Sequence, residues 1–451
     1  MVLAIALVLL VVGSVLFHYL SPWYFTPIAS NWDSIDETVT ITFWVTGFVF
    51  VVVNLFMAYC VWRYRHRKEK RAHYEPENKK LELALILATT VGVVAMLAPG
   101  LFAWAKFIEV PKDAAVVEVM GRQWYFNYRF PGKDGVLGTV DAKYVSDENP
   151  FGMNPDDPNG QDDILVASPE LHLPKGKPVK LELRSIDVLH DFTVPQFRSK
   201  MNMVPGLVTY LWFTPTRTGT FDAFCEQLCG IAHFAMRGKV VVQEESEFKA
   251  WLANYPTYAQ TKAELTGDAE KGKPLFAVCT ACHGAQAEGN PALNAPKLAG
   301  QGAWYLKRQL KNFKDGARGT QENDVYGKTM APMAATLADD AAIDNVVAYI
   351  KTLPDNPAPT TVNGNAKSGE GPYVTCAACH GADGQGIQAM NAPRLKGMSD
   401  WYLVTQLKNF RHGIRGANPH DLYGRQMASM AAILIDDQAT SDLVAYIDTF
   451  R

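Results

Sequence analysis

The chain has 451 residues, enough for two to four domains, and its net charge of −3 at pH 7 argues against a nucleic-acid partner. Its hydrophobic content of 48% is ordinary for a globular protein, but the longest apolar runs all precede Ile108. Six of the seven cysteines lie in three short paired motifs, which is typical of metal or cofactor binding and not of structural disulfides. The seventh, Cys60, lies in an apolar run and is expected to be an inert small side chain.

Three apolar runs, at about 2–20, 39–61 and 83–107, predict transmembrane helices, because about 20 residues suffice to cross about 30 Å of hydrocarbon. The first run has neither the leading positive residues nor the cleavage site of a signal peptide, so we expect an uncleaved helix. Residues 1–110 are therefore predicted to form a membrane anchor.

The basic residues predict how this anchor is oriented. Arginines and lysines cluster at 63–71 and at Lys79 and Lys80, whereas the loop 21–38 contains none. The positive-inside rule places the cluster in the cytoplasm, so everything after Lys106 is expected on the outer side of a bacterial inner membrane. Glu82, at the cytoplasmic start of the third run, is either a side chain that reaches the membrane surface or a proton entrance.

Four strand-like runs separated by turn residues predict that 111–253 is a small antiparallel sandwich or barrel. They are 116–120, 179–183, 207–213 and 239–242. In such a fold, His190 is expected to end one strand. The segment from Cys225 to Met236, here named the cysteine loop, is expected to join two late strands.

The cysteine loop carries two thiols, one imidazole and one thioether: Cys225, Cys229, His233 and Met236. Soft sulfur ligands mixed with imidazole suit copper. A tetrahedral zinc site made by both cysteines, His233 and His190 is the competing interpretation. Met236 favours copper because zinc seldom takes a thioether, although this side chain could equally pack in the core.

Two C-x-x-C-H motifs follow, at 279–283 and 376–380. This motif is typical of c-type haem, which is attached covalently through the two thiols while the adjacent imidazole binds the iron. Each motif is followed by two candidate sixth ligands of the iron: Met330 or Met333 after the first, and Met427 or Met430 after the second.

The two motifs belong to an internal duplication. They lie 97 residues apart, and the same offset relates Trp304 to Trp401 and Met330 to Met427 with no gap between. We therefore predict two haem modules, at 264–353 and 365–451, joined by a semi-rigid proline-rich linker at 353–359. His412 and His420 have no counterpart in the first copy and are expected on the surface.

The runs 121–128 and 185–195, followed by the cysteine loop, resemble subunit II of the haem–copper cytochrome c oxidases, over about 39–247. The resemblance implies a cupredoxin-like domain with a dinuclear CuA centre, in which bridging thiolates let one electron spread over both metals. It also implies the ligands, which are two bridging cysteines, one histidine on each copper, and a weak thioether and main-chain carbonyl: Cys225, Cys229, His190, His233, Met236 and Gln227.

The same resemblance gives Trp124 the role of the aromatic residue through which electrons enter, although ordinary strand core explains it equally well. Glu82 matches the entrance of a proton channel, but residues that often follow it in the family are absent. The family usually has Glu where Gln227 stands and Asp where Asn202 stands. Because an amide is a poor ligand for a hard cation, a Mg²⁺ or Mn²⁺ at the junction with subunit I is not expected.

Each haem module resembles a class I cytochrome c, and the pair resembles the tandem dihaem cytochromes c. In that family the first methionine of M-x-x-M binds the iron, which selects Met330 and Met427. The haem-binding residues so implied repeat in both copies: Cys279, Cys282, His283 and Met330, then Cys376, Cys379, His380 and Met427.

These resemblances imply a multidomain chain with N-terminal transmembrane helices, a β cupredoxin-like domain and two all-α cytochrome c modules. The implied function is subunit II of a bacterial caa-type cytochrome c oxidase, an oxygen-reducing, proton-translocating oxidoreductase whose oxygen chemistry lies in subunit I. Further partners would be subunit III, membrane lipid and an upstream donor, such as a bc-type or alternative complex or a soluble cytochrome c. The competing interpretations are a CuA- and haem c-containing subunit of a membrane nitric oxide reductase and, more weakly, a free-standing electron carrier.

Overall fold

The computed structural model describes residues 1–21, 26–68, 71, 74, 76–146, 148–262, 267–418 and 420–451. Part of the predicted basic cluster, including Lys70, and the predicted start of the first haem module at residue 264 lie outside these residues.

Three long helices form the N-terminal part: α1 (Val2–Leu20), α2 (Asp33–Arg63) and α3 (Lys79–Ile108). All three are long and apolar enough to cross a membrane, as predicted, and α2 packs against both of the others. Their apolar side chains point outward nearly all round, which is the pattern of helices surrounded by lipid.

The β domain stands directly on the ends of these helices. Trp32, fully buried before α2, donates from its indole nitrogen to the carbonyl of Trp212 at 2.8 Å. Trp212 in turn donates to the carbonyl of Phe107 near the end of α3, also at 2.8 Å. The guanidinium of Arg198 binds both carboxylate oxygens of Asp36 in α2, at 2.6 and 2.8 Å. The β domain is therefore held on two helices by paired polar contacts.

Within the described part of the β domain there are ten strands: β1 (Ala115–Arg122), β2 (Tyr125–Phe130), β3 (Ile164–Val166), β4 (Glu170–Pro174), β5 (Val179–Ser185), β6 (His190–Val194), β7 (Ser199–Met203), β8 (Thr209–Phe213), β9 (Gly219–Phe224) and β10 (Arg237–Gln243). They form two five-stranded sheets in the orders β3-β2-β1-β5-β8 and β4-β10-β9-β6-β7. Inward side chains such as Phe126 and Phe192, whose rings meet edge to face at 5.1 Å, fill the space between them.

Two details of this domain differ from the prediction. The pairs β1–β5 and β4–β10 are parallel, so the sheets are mixed and not antiparallel throughout. Long crossover connections permit parallel pairing, and the alternation of apolar residues does not reveal a strand's partner. His190 begins β6 and does not end a strand.

Two short helices, α4 (Glu245–Leu252) and α5 (Tyr258–Thr261), close the domain, and two four-helix modules follow. The first contains α6 (Ala269–His283), α7 (Ala303–Lys314), α8 (Val325–Ala335) and α9 (Asp340–Lys351). The second repeats it with α10 (Ala366–His380), α11 (Asp400–Arg411), α12 (Leu422–Ala431) and α13 (Asp437–Ile447).

In both modules the first helix crosses the last very closely, at an equivalent glycine. A Cβ atom on Gly272 would lie 1.9 Å from the carbonyl oxygen of Asn345, and one on Gly369 would lie 2.1 Å from that of Asp442. Only glycine permits such an approach, so the duplication preserves the crossing that supports each C-x-x-C-H motif.

The modules face each other across residues that the duplication also relates. Arg318 donates to Gln309 of its own module at 2.5 Å and to Gln406 of the other at 3.4 Å. Arg415 makes the mirrored contacts, to Gln406 at 2.8 Å and to Gln309 at 3.4 Å. The two halves are thus related by an approximate two-fold arrangement.

Candidate metal and haem sites

The cysteine loop joins β9 to β10, as predicted, and folds back over the start of β6. The two thiol sulfurs lie 3.8 Å apart. Nδ1 of His190 is 4.0 Å from the sulfur of Cys225, and Nδ1 of His233 is 3.5 Å from the sulfur of Cys229. The structure therefore places one imidazole beside each thiol.

Two weaker donors complete this group. The main-chain carbonyl oxygen of Gln227 lies 3.2 Å from the sulfur of Cys225. The thioether of Met236, only 1% exposed, lies 3.9 Å from the sulfur of Cys229. All six predicted ligand residues are thus in one cluster, with Gln227 and His233 half-buried and the other four buried, and its thiols, imidazoles and thioether are the donors that copper prefers.

His190 is oriented by a residue that the sequence analysis missed. Asp187 accepts from Nε2 of His190 at 2.7 Å, which leaves Nδ1 directed at the thiols. Burial alone would lower the pKa of His190, but Asp187 and Cys225 outweigh it and hold that pKa above its ordinary value. A carboxylate behind a metal-binding imidazole fixes its ring and raises its basicity. Asp187 lies within the run 185–195 that carried the family resemblance.

The two thiols favour a thiolate at Cys225. Hydrogen bonding from Cys229, with a further contribution from His190, lowers the pKa of Cys225 despite its burial. Thiolate is the form that binds copper, so the site has a ligand available at neutral pH.

The short connection between β1 and β2, which contains Gln123 and Trp124, is hydrogen-bonded to the cysteine loop. Trp124, which is buried, donates from its indole nitrogen to the carbonyl of Cys229 at 3.1 Å. Gln123 donates to the same oxygen at 2.7 Å. Gly230 has φ +125°, and a Cβ there would lie 2.8 Å from the amide of Gln123, so the close approach requires glycine. Trp124 therefore touches a predicted copper ligand through one hydrogen bond.

Both C-x-x-C-H motifs face one cavity of about 590 Å³, which lies between the modules. Its wall includes the two thiols and the imidazole of each motif: Cys279, Cys282, His283, Cys376, Cys379 and His380. The donor set of a covalent c-type haem therefore converges on a predominantly apolar space in both modules.

The two histidines are held in the same way. Nδ1 of His283 donates to the carbonyl of Pro296 at 2.8 Å, and Nδ1 of His380 donates to that of Pro393 at 2.7 Å. Burial lowers the pKa of both imidazoles, only partly opposed by these bonds. Each ring is thus neutral at pH 7 with Nε2 available, as an iron ligand requires.

All four candidate methionines line the same cavity: Met330, Met333, Met427 and Met430. In the first module Met330 is half-buried, whereas Met333 is exposed. In the second module both are half-buried. Each module therefore contributes two thioethers to the cavity that its histidine lines.

Glu82 is not part of either site. It is exposed in the first turn of α3, separated from the β domain by about 40 Å of helix. Its side chain is placed where a membrane surface or another subunit would meet it.

Three comparisons with known proteins agree with this geometry. The family described as cytochrome c oxidase subunit II, periplasmic domain, matches 115–244, and the cytochrome c family matches both 269–354 and 366–451. The alternative cytochrome c oxidase subunit 2 of Bradyrhizobium diazoefficiens is 60% identical over 57% of this chain and 94% of its own length. Cytochrome c oxidase subunit 2 of Cereibacter sphaeroides is 30% identical over 49% of this chain and 77% of its own.

Among solved structures, cytochrome c4 from Pseudomonas stutzeri is 30% identical and covers 40% of this chain and 98% of its own, with a TM-score of 0.33. The thiol–imidazole cluster and both C-x-x-C-H motifs lie within the matched segments. The family implies CuA copper for the first and haem c for the second. The chain belongs to the cytochrome c oxidase subunit II family, and it carries two cytochrome c domains after the subunit II domain.

Proposed function

We propose that the copper domain and the two cytochrome modules form one electron-transfer line that ends at subunit I of a haem–copper oxidase. When bound, the dinuclear copper and two c-type haems each accept and release one electron. The cluster of two thiols and two imidazoles, each thiol with its own imidazole, carries this proposal. The nitric oxide reductase interpretation is not favoured, because the close relatives are oxidase subunits.

The proposed copper ligands are these two thiols and two imidazoles together with the carbonyl of Gln227 and the thioether of Met236. The six residues are His190, Cys225, Gln227, Cys229, His233 and Met236. Trp124 is proposed as the side chain through which electrons reach the copper, since it bonds the carbonyl of Cys229. Six protein donors with two thiols do not fit a single tetrahedral zinc ion.

Each module is proposed to hold one haem, which would be attached through two thiols and bound at its iron by one histidine and one methionine: Cys279, Cys282, His283 and Met330, and Cys376, Cys379, His380 and Met427. The histidine rings are already fixed by the carbonyls of Pro296 and Pro393, so little rearrangement accompanies a change of iron charge.

No Mg²⁺ or Mn²⁺ is proposed beside the copper. The nearby carboxylates of Asp191 and Glu226 already share the ammonium of Lys200, at 3.0 and 2.9 Å. Asn202, opposite Asp191 in the β6–β7 ladder, offers only an amide. A hard cation would have to displace Lys200 and bind without the family's second acid.

The face toward subunit I is proposed to be the outer side of the cysteine loop. Leu228, Ile231 and Phe234 are exposed there next to the copper ligands, and adjacent exposed apolar side chains mark an interaction surface.

The anchor is proposed to be multi-pass in a bacterial inner membrane, in contact with lipid and subunit III. Glu82 is a candidate proton entrance on its cytoplasmic side. The donor is proposed to be a bc-type or alternative complex or a soluble cytochrome c.

Replacing Cys225 with Ser tests the copper assignment. We expect loss of the mixed-valence copper spectrum, with both haem spectra retained, because the variant removes one of the two thiols of the copper cluster and none of the haem-binding residues. Electron paramagnetic resonance and metal analysis of the purified complex measure this. As a matched control, Cys60→Ser should leave the copper signal unchanged. A normal copper signal in Cys225→Ser would refute the assignment.

A further inference from the structure

We infer that the second cytochrome module, not the first, passes electrons to the copper domain, through a contact that centres on Tyr125; this rests on the proposed function. Tyr125 forms a buried apolar cluster with Ile387, Met390 and Ala392 of the second module, and Cys379 packs against it. We name this cluster the docking contact.

The docking contact has the composition of a specific interface. Tyr125 and Met390 are 5% and 3% exposed, and the tyrosine hydroxyl meets the methionine sulfur. A guanidinium nitrogen of Arg122 lies 3.3 Å from the same sulfur. Tyrosine, methionine and arginine are enriched where proteins recognise each other, and a thioether packs favourably against an aromatic ring.

A second point of attachment lies on the helix that carries Met427. Arg425 of α12 forms an ion pair with Glu170 of β4, and both side chains are largely buried. Glu170 is also 3.3 Å from His172, whose ring stacks on Trp251 at 4.1 Å. The second module is thus held at two places, at α12, which carries Met427, and at the loop that follows the C-x-x-C-H motif of α10.

These contacts make an unbroken chain of bonded or touching groups from one site to the other. Cys379, a haem-attaching residue, packs against the docking contact. Tyr125 is covalently joined to Trp124, and Trp124 bonds the carbonyl of Cys229 at 3.1 Å. Electron transfer through protein slows steeply with distance, so this short connection favours the second module as the donor to copper.

The duplication supplies an internal comparison. The position equivalent to Met390 is Leu293, which is 53% exposed, and the position equivalent to Arg425 is Lys328, also exposed. Cys282 is exposed where its counterpart Cys379 is half-buried. Among the described residues, the polar contacts and apolar clusters that join the copper domain to the modules all come from the second module.

The first module reaches copper only through the second. The two C-x-x-C-H motifs share one cavity, and Arg318 and Arg415 bridge the modules beside it. The chain therefore has a defined order, in which electrons enter at the first module and leave at the second.

The test compares charges introduced at equivalent positions of the intact oxidase. Met390→Glu buries a carboxylate in the docking contact and is expected to slow copper reduction by the haems about tenfold or more, measured by flash photoreduction. Leu293→Glu, the matched control, is expected to change this rate less than about twofold, because its side chain is exposed. The opposite ranking would overturn the order.

A second measurement detects the docking contact directly, through the protection of Met390 from oxidation, and does not depend on enzyme activity. In the resting complex, peroxide should oxidise the exposed Met333 and spare Met390, as mass spectrometry would reveal. Arg425→Glu should increase oxidation of Met390, and adding Glu170→Arg should restore protection, whereas Lys328→Glu should have no effect. Equal oxidation of Met390 in the unmodified protein and in Arg425→Glu would overturn the contact. Absence of copper or haem bands from the unmodified protein would instead contradict the proposed function.

Discussion

At the scale of single residues, the haem sites show how much a short motif determines. The C-x-x-C-H spacing identifies the thiols and the imidazole, and the fold adds the carbonyls of Pro296 and Pro393 that orient the two rings. The sixth ligand is less determined, because each module presents two methionines to its cavity. Met330 is half-buried and Met333 is exposed, whereas Met427 and Met430 are both half-buried, so the choice between the two methionines stays a prediction from the family pattern.

Replacing Met330 with Leu is expected to lower the potential of one haem, on the order of 0.1 V, because the thioether ligand that raises it is lost. About half of the methionine–iron absorption should disappear, since the second module keeps Met427. Met333→Leu, the control, should leave potential and spectrum unchanged. Redox titration of the purified complex measures both variants, and the reverse pattern would assign the ligand to Met333.

The copper site likewise contains residues that could be predicted from the sequence and residues that could not. The two thiols, the imidazole and the thioether of the cysteine loop could be recognised as candidate metal ligands from the sequence pattern, whereas the dinuclear copper and the carbonyl of Gln227 came from the family resemblance. Asp187 and Gln123 could not, since their roles depend on which loop the fold brings behind His190 and Cys229. Residues that orient the ligands, such as Asp187 and Gln123, are therefore harder to predict from the sequence than the ligands themselves.

At the scale of elements, the segment between the modules does more than connect them. Asp355 accepts from Lys297 at 2.7 Å and from Arg394 at 2.6 Å, and these two cations are equivalent positions of the duplication. Each also bonds a carbonyl of the opposite module, Gly397 for Lys297 and Gly300 for Arg394. A residue of the predicted linker thus lies at the centre of the two-fold arrangement.

Asp355→Asn is expected to destabilise the cytochrome pair by about 2 kcal/mol at pH 7, because Lys297, whose side chain is 1% exposed, loses its counter-ion. Burial alone would raise the pKa of Asp355, but both cations outweigh it and hold that pKa below its ordinary value. The stabilisation is therefore present at neutral pH and is lost as pH falls through the lowered pKa.

Thermal unfolding followed by haem absorbance measures this effect. The difference between Asp355→Asn and the unmodified protein should shrink in acid, below the ordinary aspartate pKa of about 3.9. Asp383→Asn is the control, because its pair with Lys396 is exposed and should contribute less than about 1 kcal/mol. A difference independent of pH would rule out the ion pairs as its cause.

The elements themselves were predicted unequally well. The three apolar spans were predicted well, because apolar length is a local property of the sequence. Strand pairing was less predictable, as the parallel pairs β1–β5 and β4–β10 and the position of His190 at the start of β6 show. The docking contact between modules and copper domain left no pattern in the sequence, since Tyr125 and Met390 are far apart in the chain.

At the scale of the whole molecule, tethered donors replace a diffusing one. If the modules are the donors to copper, as proposed, their attachment gives an effective concentration in the millimolar range, and the step from haem to copper needs no collision with a soluble carrier. We expect the purified oxidase to consume oxygen with a small artificial donor and no added cytochrome c, and addition of cytochrome c should raise the rate less than about twofold.

Oxygen uptake in detergent or vesicles measures this, with a variant ended at Thr261, before both modules, as control. That variant should depend on added cytochrome c. A strict requirement for cytochrome c in the intact chain would contradict a role for the modules as donors.

The junction of Trp32, Trp212 and Phe107 has a consequence for orientation. These hydrogen bonds tie the copper domain to the start of α2 and the end of α3, so a change in the orientation of these helices is passed on to the domain. A helix advances 1.5 Å and turns about 100° per residue, so one residue more or less in the third span would rotate the copper loop away from any fixed partner. Bilayer thickness also affects the orientation of the copper domain. A long helix tilts to fit a thin membrane, and the attached copper domain tilts with it.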